Sequence, residues 1–301
     1  MAKARDEIGI AGVRLTSPDR VLYAGQGITK RDLAQYYETI AEWILPQLAG
    51  RPLTLLRCPA GQQTECFVQR RASESLPAAV RRVEVAQEDG TATHLMVDSV
   101  PGLLSLVQLG VLELHTWSAR SDRLDRPDRM ILDLDPDPEL PWTRVVEAAM
   151  EVRGRLAELG LESFVKTTGG KGLHVVVPLE RRHSWEEVRD FSRALARELV
   201  RRAPERYVAQ AAKVERSGRI YVDYLRNAWG ASAVAAYSTR ARPDAPVSTP
   251  LGWEELGPLR PDAFTLKQLP ARLSSLAEDP WTRYASVRQR ITRTMREAVE
   301  P

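Results

Sequence analysis

Apolar positions along the chain recur with two different periods, and the changes between them predict the elements. Leu33, Tyr36, Ile40 and Ile44 recur at helical spacing behind Thr29, a capping residue, with Asp32 in the first turn. Residues 52–57 (P-L-T-L-L-R) and 66–69 predict short strands, residues 73–84 are basic and irregular, and residues 94–98 predict a further strand. Pro101 opens a helix carrying Leu104, Val107 and Leu112. The middle of the chain is more regular. Residues 129–135 (R-M-I-L-D-L-D) predict a strand that stops at D-P-D-P, which no sheet continues. A helix follows from about Thr143 to Leu159, with Gly160 as its stop. The strand S-F-V-K-T enters the turn T-G-G-K-G, and L-H-V-V-V-P-L leaves it. Ser184 and Glu187 make a capping box for a helix with Val188, Phe191, Leu195 and Leu199 on its apolar face. The strand R-I-Y-V-D-Y-L at 219–225, a proline-rich surface loop at 241–263 and a charged helix at about 281–298 complete the pattern.

Strands and helices alternate without a strict βαβ rhythm, so the expected fold class is α/β in the α+β sense, a mixed sheet flanked by helices. At 301 residues, 43% apolar, the chain is long enough for one large domain or two modest ones. A net charge of +3 permits a nucleic-acid partner without demanding one. Cys58 and Cys66, with four histidines in all, make no convincing zinc site, and two reduced thiols are the expectation. The N-terminus has no apolar signal region, and no run approaches the ~18 apolar residues of a membrane span. The expectation is a soluble, cytoplasmic protein with no membrane partner.

Asp133 and Asp135 lie two apart on a strand, so their carboxylates point the same way. Side by side they repel, and a divalent cation makes the arrangement favourable. Hard oxygen ligands suit magnesium or manganese. A solvated strand end with an acidic turn is the plainer alternative. Asp223 interrupts another apolar strand, on the same side as Tyr221 and Leu225, where an unpaired carboxylate is expensive to bury. Three carboxylates on neighbouring strands suit two-metal phosphoryl transfer. The turn at 167–174, T-T-G-G-K-G-L-H, offers backbone N–H groups and Lys171 to an anion, and His174 lies in a register that aims it at the same ligand. It is not a Walker A loop, because Gly172 stands where Ser/Thr follows the lysine. Alone, such a turn is usually a hairpin; the three motifs together are far more specific.

I-L-D-L-D-P, T-T-G-G-K-G-L-H-V and Y-V-D-Y-L-R-N resemble the three motifs of the archaeo-eukaryotic primase superfamily, and most closely the polymerase domain of bacterial ligase D. L-T-S-P-D-R-V-L-Y and G-I-T-K-R-D-L-A-Q-Y-Y extend the resemblance to the N-terminal part. It implies a primase-like catalytic core at about 126–301 behind an N-terminal helical and strand extension at about 1–125 that binds DNA ends, together one domain. It also implies a polymerase that adds ribonucleotides in preference to deoxyribonucleotides during non-homologous end joining. Two divalent cations are implied, manganese preferred or magnesium, with NTP or dNTP as substrate. The implied partners are gapped or primer–template DNA ends with a 5′-phosphate, Ku, and ligase and phosphoesterase domains of the same or a neighbouring chain, in association with the nucleoid. Residue by residue, Asp133, Asp135 and Asp223 match the metal ligands. Thr168, Lys171, His174, Ser232 and Arg240 match the nucleotide-binding positions, and His115 matches a residue near the ribose, although a core histidine beside Trp117 is an equal alternative. Ser17, Arg20 and Lys30 match a 5′-phosphate pocket, where Lys30 as a solvated first-turn residue is the plain alternative, and Phe67 matches a template contact. The chain departs from the pattern at Thr168, where serine is common, and at Val68, where some relatives carry a second aromatic. It lacks the K-x-D-G motif of DNA ligases.

Two rivals use the same residues. A metal-dependent nuclease or phosphohydrolase needs the carboxylates but no triphosphate grip. A non-catalytic DNA-end-binding module needs no metal ligands.

Overall fold

The computed structural model describes residues 7–73, 76–87, 90–257, 259–260 and 262–300. The chain forms two compact units. The first comprises 1–122, 234–248 and 264–276; the second comprises 123–233, 249–263 and 277–301.

The second unit is built on a sheet in the order Tyr207–Val208, Ile220–Asp223, Arg129–Pro136, Leu173–Pro178, Phe164–Thr167 and Pro250–Leu251. All neighbours are antiparallel except the first pair. Leu132 and Leu134 point to one face and are fully buried, which leaves the alternate positions Ile131, Asp133 and Asp135 on the other. Helices Trp142–Glu158 and Trp185–Arg202 pack on the strands Arg129–Pro136 and Leu173–Pro178 or their neighbours. The expected Ser184–Glu187 capping box is present. The C-terminal helix is shorter than the charge pattern predicts and covers only Arg293–Val299. The reason lies in the aromatic residues before it. Trp281 donates from Nε1 to the Val165 carbonyl and packs with Tyr284 against Phe164, so that segment is pinned as turns.

The first unit carries a second sheet, in which Val111–Thr116, Leu53–Arg57, Gly90–Met96 and Arg81–Gln87 are neighbours and Phe67–Gln69 adds to Leu53–Arg57. The basic stretch 73–84 is therefore not irregular throughout: from Arg81 it is one arm of a hairpin. The first helix breaks at Ile40 into Lys30–Thr39 and Ala41–Leu48. The helix opened by Pro101 ends at Gln108, and Leu112 belongs to the following strand. Gly110 makes that corner with φ 78°, and a Cβ there would stand 2.8 Å from the Pro59 Cα, so only glycine fits.

Cys58 and Cys66 form a disulfide, against the expectation of reduced thiols. Arg57 pairs with Phe67 across the hairpin, and the next pair across, Cys58 and Cys66, has its Cα atoms 4.3 Å apart. Chain size and compartment, on which that expectation rested, say nothing of this local register. Among the described residues no helix is long and apolar enough to cross a membrane.

Candidate active site

The sheet register of the second unit collects one transverse row of charged side chains. Asp223 stands opposite Asp133, Asp133 opposite His174, and His174 opposite Lys166. Directly paired residues share a face, so one residue from each of four adjacent strands lines the same face. All four are buried. Asp135 lies on that face two residues beyond Asp133, half-buried.

Cationic side chains hold the carboxylates. Arg226 Nε lies 3.2 Å from Asp133 Oδ2 and 3.1 Å from Asp223 Oδ2. Arg216 donates to Asp135 Oδ2 at 2.9 Å while its guanidinium covers the Tyr221 ring at 4.0 Å, and Lys171 Nζ is 3.6 Å from Asp135 Oδ1. The Tyr221 hydroxyl and the Leu225 N–H both donate to Asp223 Oδ1. Burial pushes both buried aspartates up, but the outcomes differ. His174, Arg226 and Lys166 hold Asp133 well below the usual carboxylate range. Asp223 is raised by its burial and by repulsion from Asp133, with Arg226 only partly offsetting them. His174 Nε2 is 3.5 Å from Asp133 Oδ2, and burial, with Lys166 nearby, pushes the imidazole down to about 4.

The T-T-G-G-K-G turn is tight. Thr168 donates from both N and Oγ1 to the Gly172 carbonyl at 3.1 Å. A Cβ on Gly172 would lie 2.4 Å from the Leu134 carbonyl oxygen, so the turn can sit against the Asp133 strand only with glycine there. Ser232 is half-buried on the segment after Asn227, and among the described residues no hydrogen bond joins it to the carboxylates. Leu225, expected beside Asp223 on a strand, lies beyond the strand end in a short turn and is exposed.

Four residues of this face were not singled out from sequence. Arg216, Arg226 and Lys166 supply the compensating charge, and Asn227 sets the turn that carries Arg226. Its side-chain amide donates to the Ile131 carbonyl and accepts from the Ile131 N–H, both at 2.8 Å, continuing the ladder where Ile220–Asp223 stops. Lys166 carried a readable signal, since a lysine inside the apolar run F-V-K-T poses the same burial problem as Asp223.

Among the described residues no three His, Cys, Asp or Glu side chains are gathered as a ready metal cage. The donor chemistry nonetheless fits a divalent cation: hard carboxylate oxygens from adjacent strands share one face, and a guanidinium already bridges two of them. An ion bridging Asp133 Oδ2 and Asp223 Oδ2 would displace Arg226, whose Nε lies on both oxygens.

In the first unit, backbone hydrogen bonds gather the three residues matched to a 5′-phosphate. Arg20 N donates to the Ser17 carbonyl, and Lys30 N donates to the Arg20 carbonyl. Lys30 is not the solvated first-turn residue of the plain alternative. It is 4% exposed, and Nζ donates to the Thr16 carbonyl at 2.9 Å and to Gln108 Oε1 at 3.4 Å. Burial, and then Arg20, lower its pKa. Phe67 is 45% exposed under the Arg57 guanidinium, 5.2 Å from the ring centre. His115 and Arg240 also belong to this unit, where both approach the buried Glu113.

The sequence matches the LigD primase-polymerase domain family over residues 29–281. The chain belongs to this family. It is 46% identical over 288 residues to the multifunctional non-homologous end joining protein LigD of Pseudomonas aeruginosa, covering 95% of this chain and 34% of that protein. It is 34% identical over 246 residues to the protein of the same name from Mycolicibacterium smegmatis, covering 81% of this chain and 32% of the relative. The chain thus spans about a third of the length of these LigD relatives. The fold matches the polymerase domain of Mycobacterium tuberculosis ligase D, solved in complex with DNA, with a TM-score of 0.83 and 29% identity over 91% of this chain and 98% of that one. The mixed α/β architecture expected from the sequence is that of the LigD polymerase domain.

Proposed function

We propose that this LigD-type domain adds ribonucleotides, or less readily deoxyribonucleotides, to the 3′-hydroxyl of DNA ends and gaps during non-homologous end joining. The observation that carries this reading is the row of Asp223, Asp133 and His174 beside Asp135 and the glycine turn. Asp133, Asp135 and Asp223 would hold two divalent cations, manganese in preference to magnesium. Those ions, when bound, supply a lowered pKa for the attacking hydroxyl and charge stabilisation for the leaving oxygen. Thr168, Lys171, His174, Ser232, Arg240 and His115 are the nucleotide-binding residues of this reading, the first three holding the triphosphate. His174, kept neutral by burial, presents an uncharged imidazole rather than a competing cation. Ser17, Arg20 and Lys30 take a downstream 5′-phosphate, and Phe67 meets the template. Ku, and ligase and phosphoesterase domains of the same or a neighbouring chain, are the proposed partners, at the nucleoid.

The test is incubation with primer–template DNA, manganese and labelled ribonucleotides. Extension is expected. Shortening would make the carboxylates those of a nuclease, and no change would leave a DNA-end-binding module. The glycine turn argues against the nuclease, because hydrolysis needs no dedicated grip on a triphosphate.

A further inference from the structure

Glu113 is the buried carboxylate on which His115 and Arg240 converge. It lies two residues before His115 on the strand Val111–Thr116, so the two side chains share a face. Both carboxylate oxygens are engaged. Oε1 accepts the Ala241 N–H at 2.9 Å. Oε2 lies 2.8 Å from His115 Nε2 and 3.0 Å from Arg240 Nε. The segment carrying Arg240 is itself laid along this strand: Leu114 N donates to Ser238 Oγ, and Thr239 Oγ1 donates to the Leu112 carbonyl.

The arrangement is graded in depth. The Glu113 side chain is 7% exposed, whereas His115 is 23% and Arg240 16%. The anion is the most deeply buried of the three groups. Burial alone would push Glu113 up, but His115, Arg240 and the Ala241 N–H hold it down at about 2, so it is charged throughout the working range. Anchoring the Ala241 N–H needs only a neutral acceptor, which glutamine would supply. Gathering an imidazole and a guanidinium on one oxygen needs the carboxylate.

We propose that Glu113 is a positioning residue for nucleotide recognition, holding His115 and Arg240 as one unit so that both meet the sugar–phosphate part of an incoming nucleoside triphosphate in a fixed relation. Arginine has many rotamers, and the ion pair with Glu113 at 3.0 Å restrains the guanidinium before the ligand arrives. A hydroxyl of the ribose is discriminated only by a partner that cannot swing away, so fixing His115 also sharpens the choice of sugar. This inference rests on the reading that His115 and Arg240 contact the nucleotide.

The experiment is an equilibrium titration of the manganese-loaded protein with ATP and with dATP, for wild type, Glu113→Gln, Glu113→Asp, Arg240→Ala and Glu113→Gln/Arg240→Ala, with a melting curve for each. Glu113→Gln is expected to weaken ATP about tenfold and dATP less, narrowing the ribo-to-deoxyribo ratio. Glu113→Asp keeps the charge and recovers part of both. In the Arg240→Ala background, Glu113→Gln adds no further loss for dATP, because the two residues act through one contact. If Glu113→Gln fails to fold, the same cycle is run with Glu113→Asp. Wild-type ratios in the glutamine variant, or losses that simply multiply in the double variant, would overturn the proposal while leaving nucleotide binding intact. A wild type that binds neither nucleotide would remove the underlying reading, and this inference with it.

Discussion

Asp133 and Asp223 face each other across two antiparallel strands, and one nitrogen of Arg226 lies within 3.2 Å of an oxygen from each. The guanidinium stands where two carboxylates most need a cation. It does so from a turn fixed by Asn227, so the positive charge is built in rather than borrowed from solvent.

Replacing either aspartate is therefore expected to separate activity from stability. Asp133→Ala or Asp223→Ala should abolish nucleotide addition while the melting temperature stays within a few degrees of wild type, since Arg226 keeps the remaining carboxylate as partner. Primer extension and thermal melting on the same preparations check both halves. Near-wild-type extension would remove these residues from the metal role.

A metal ion bound between Asp133 and Asp223 would compete with Arg226 for their oxygens. Manganese should raise the melting temperature of the wild type by mass action, about 2.7 kcal/mol at a hundred times Kd. Arg226→Ala should bind manganese several-fold more tightly and be less stable without it. Isothermal titration with manganese alone reads the first effect, and equal affinity in the two proteins would show that no exchange takes place.

Gly172→Ala is a packing test of the glycine turn. Its Cβ would meet the Leu134 carbonyl at 2.4 Å, and backbone cannot yield as a flexible side chain does. The cost should be about 1–3 kcal/mol of stability, with nucleotide binding weakened as Thr168 and Lys171 shift. An unchanged urea midpoint would mean that the turn relaxes freely.

Much of this site was legible because strand pairing turns sequence spacing into geometry. Asp133 and Asp135, two apart in an apolar run, needed only the rule of alternation. Asp223 was found by the cost of burying it. Arg226 and Arg216 were not found, since exposed-looking arginines beyond a strand end carry no periodic signal. Glu113 carries no clear signal in V-L-E-L-H-T, because Leu112 continues the apolar spacing of the preceding helix and so hides the start of the strand. The disulfide stayed hidden for the same kind of reason, because it follows from hairpin register and not from cysteine count.

A downstream 5′-phosphate should tighten binding to gapped DNA, and Lys30→Ala should remove most of that gain, about 1–3 kcal/mol, while extension of a simple primer persists. The titrations compare phosphorylated and unphosphorylated gaps at one salt concentration, because phosphate contacts depend strongly on salt. Equal wild-type affinity for both substrates would leave Lys30 a structural residue bound to Thr16 and Gln108.

Acid sensitivity should carry a contribution from Glu113. Its folded carboxyl titrates at about 2, below the ordinary value of 4.5. The stability it contributes is complete above 4.5 and is lost progressively as the pH falls from there to about 2. Glu113→Gln should flatten the pH dependence of unfolding in that window, by at most about 1.4 kcal/mol per pH unit, and leave the slope above pH 5 unchanged. Parallel curves for the two proteins would contradict the depressed value.

The row Asp223–Asp133–His174–Lys166 has a consequence for how such a domain can change over generations. Its members come from separate stretches of the chain, and their alignment depends on which residue faces which in four strands. Apart from the tight turn at 168–172, connecting segments can lengthen, shorten or be exchanged without disturbing it. A single residue inserted or deleted within one of the four strands would turn that strand's functional side chain to the opposite face, among the packed leucines and valines. Tolerance to insertions should therefore be sharply uneven: permissive in the longer links between these strands, and close to nil within the turn at 168–172 and the few residues that carry the charge.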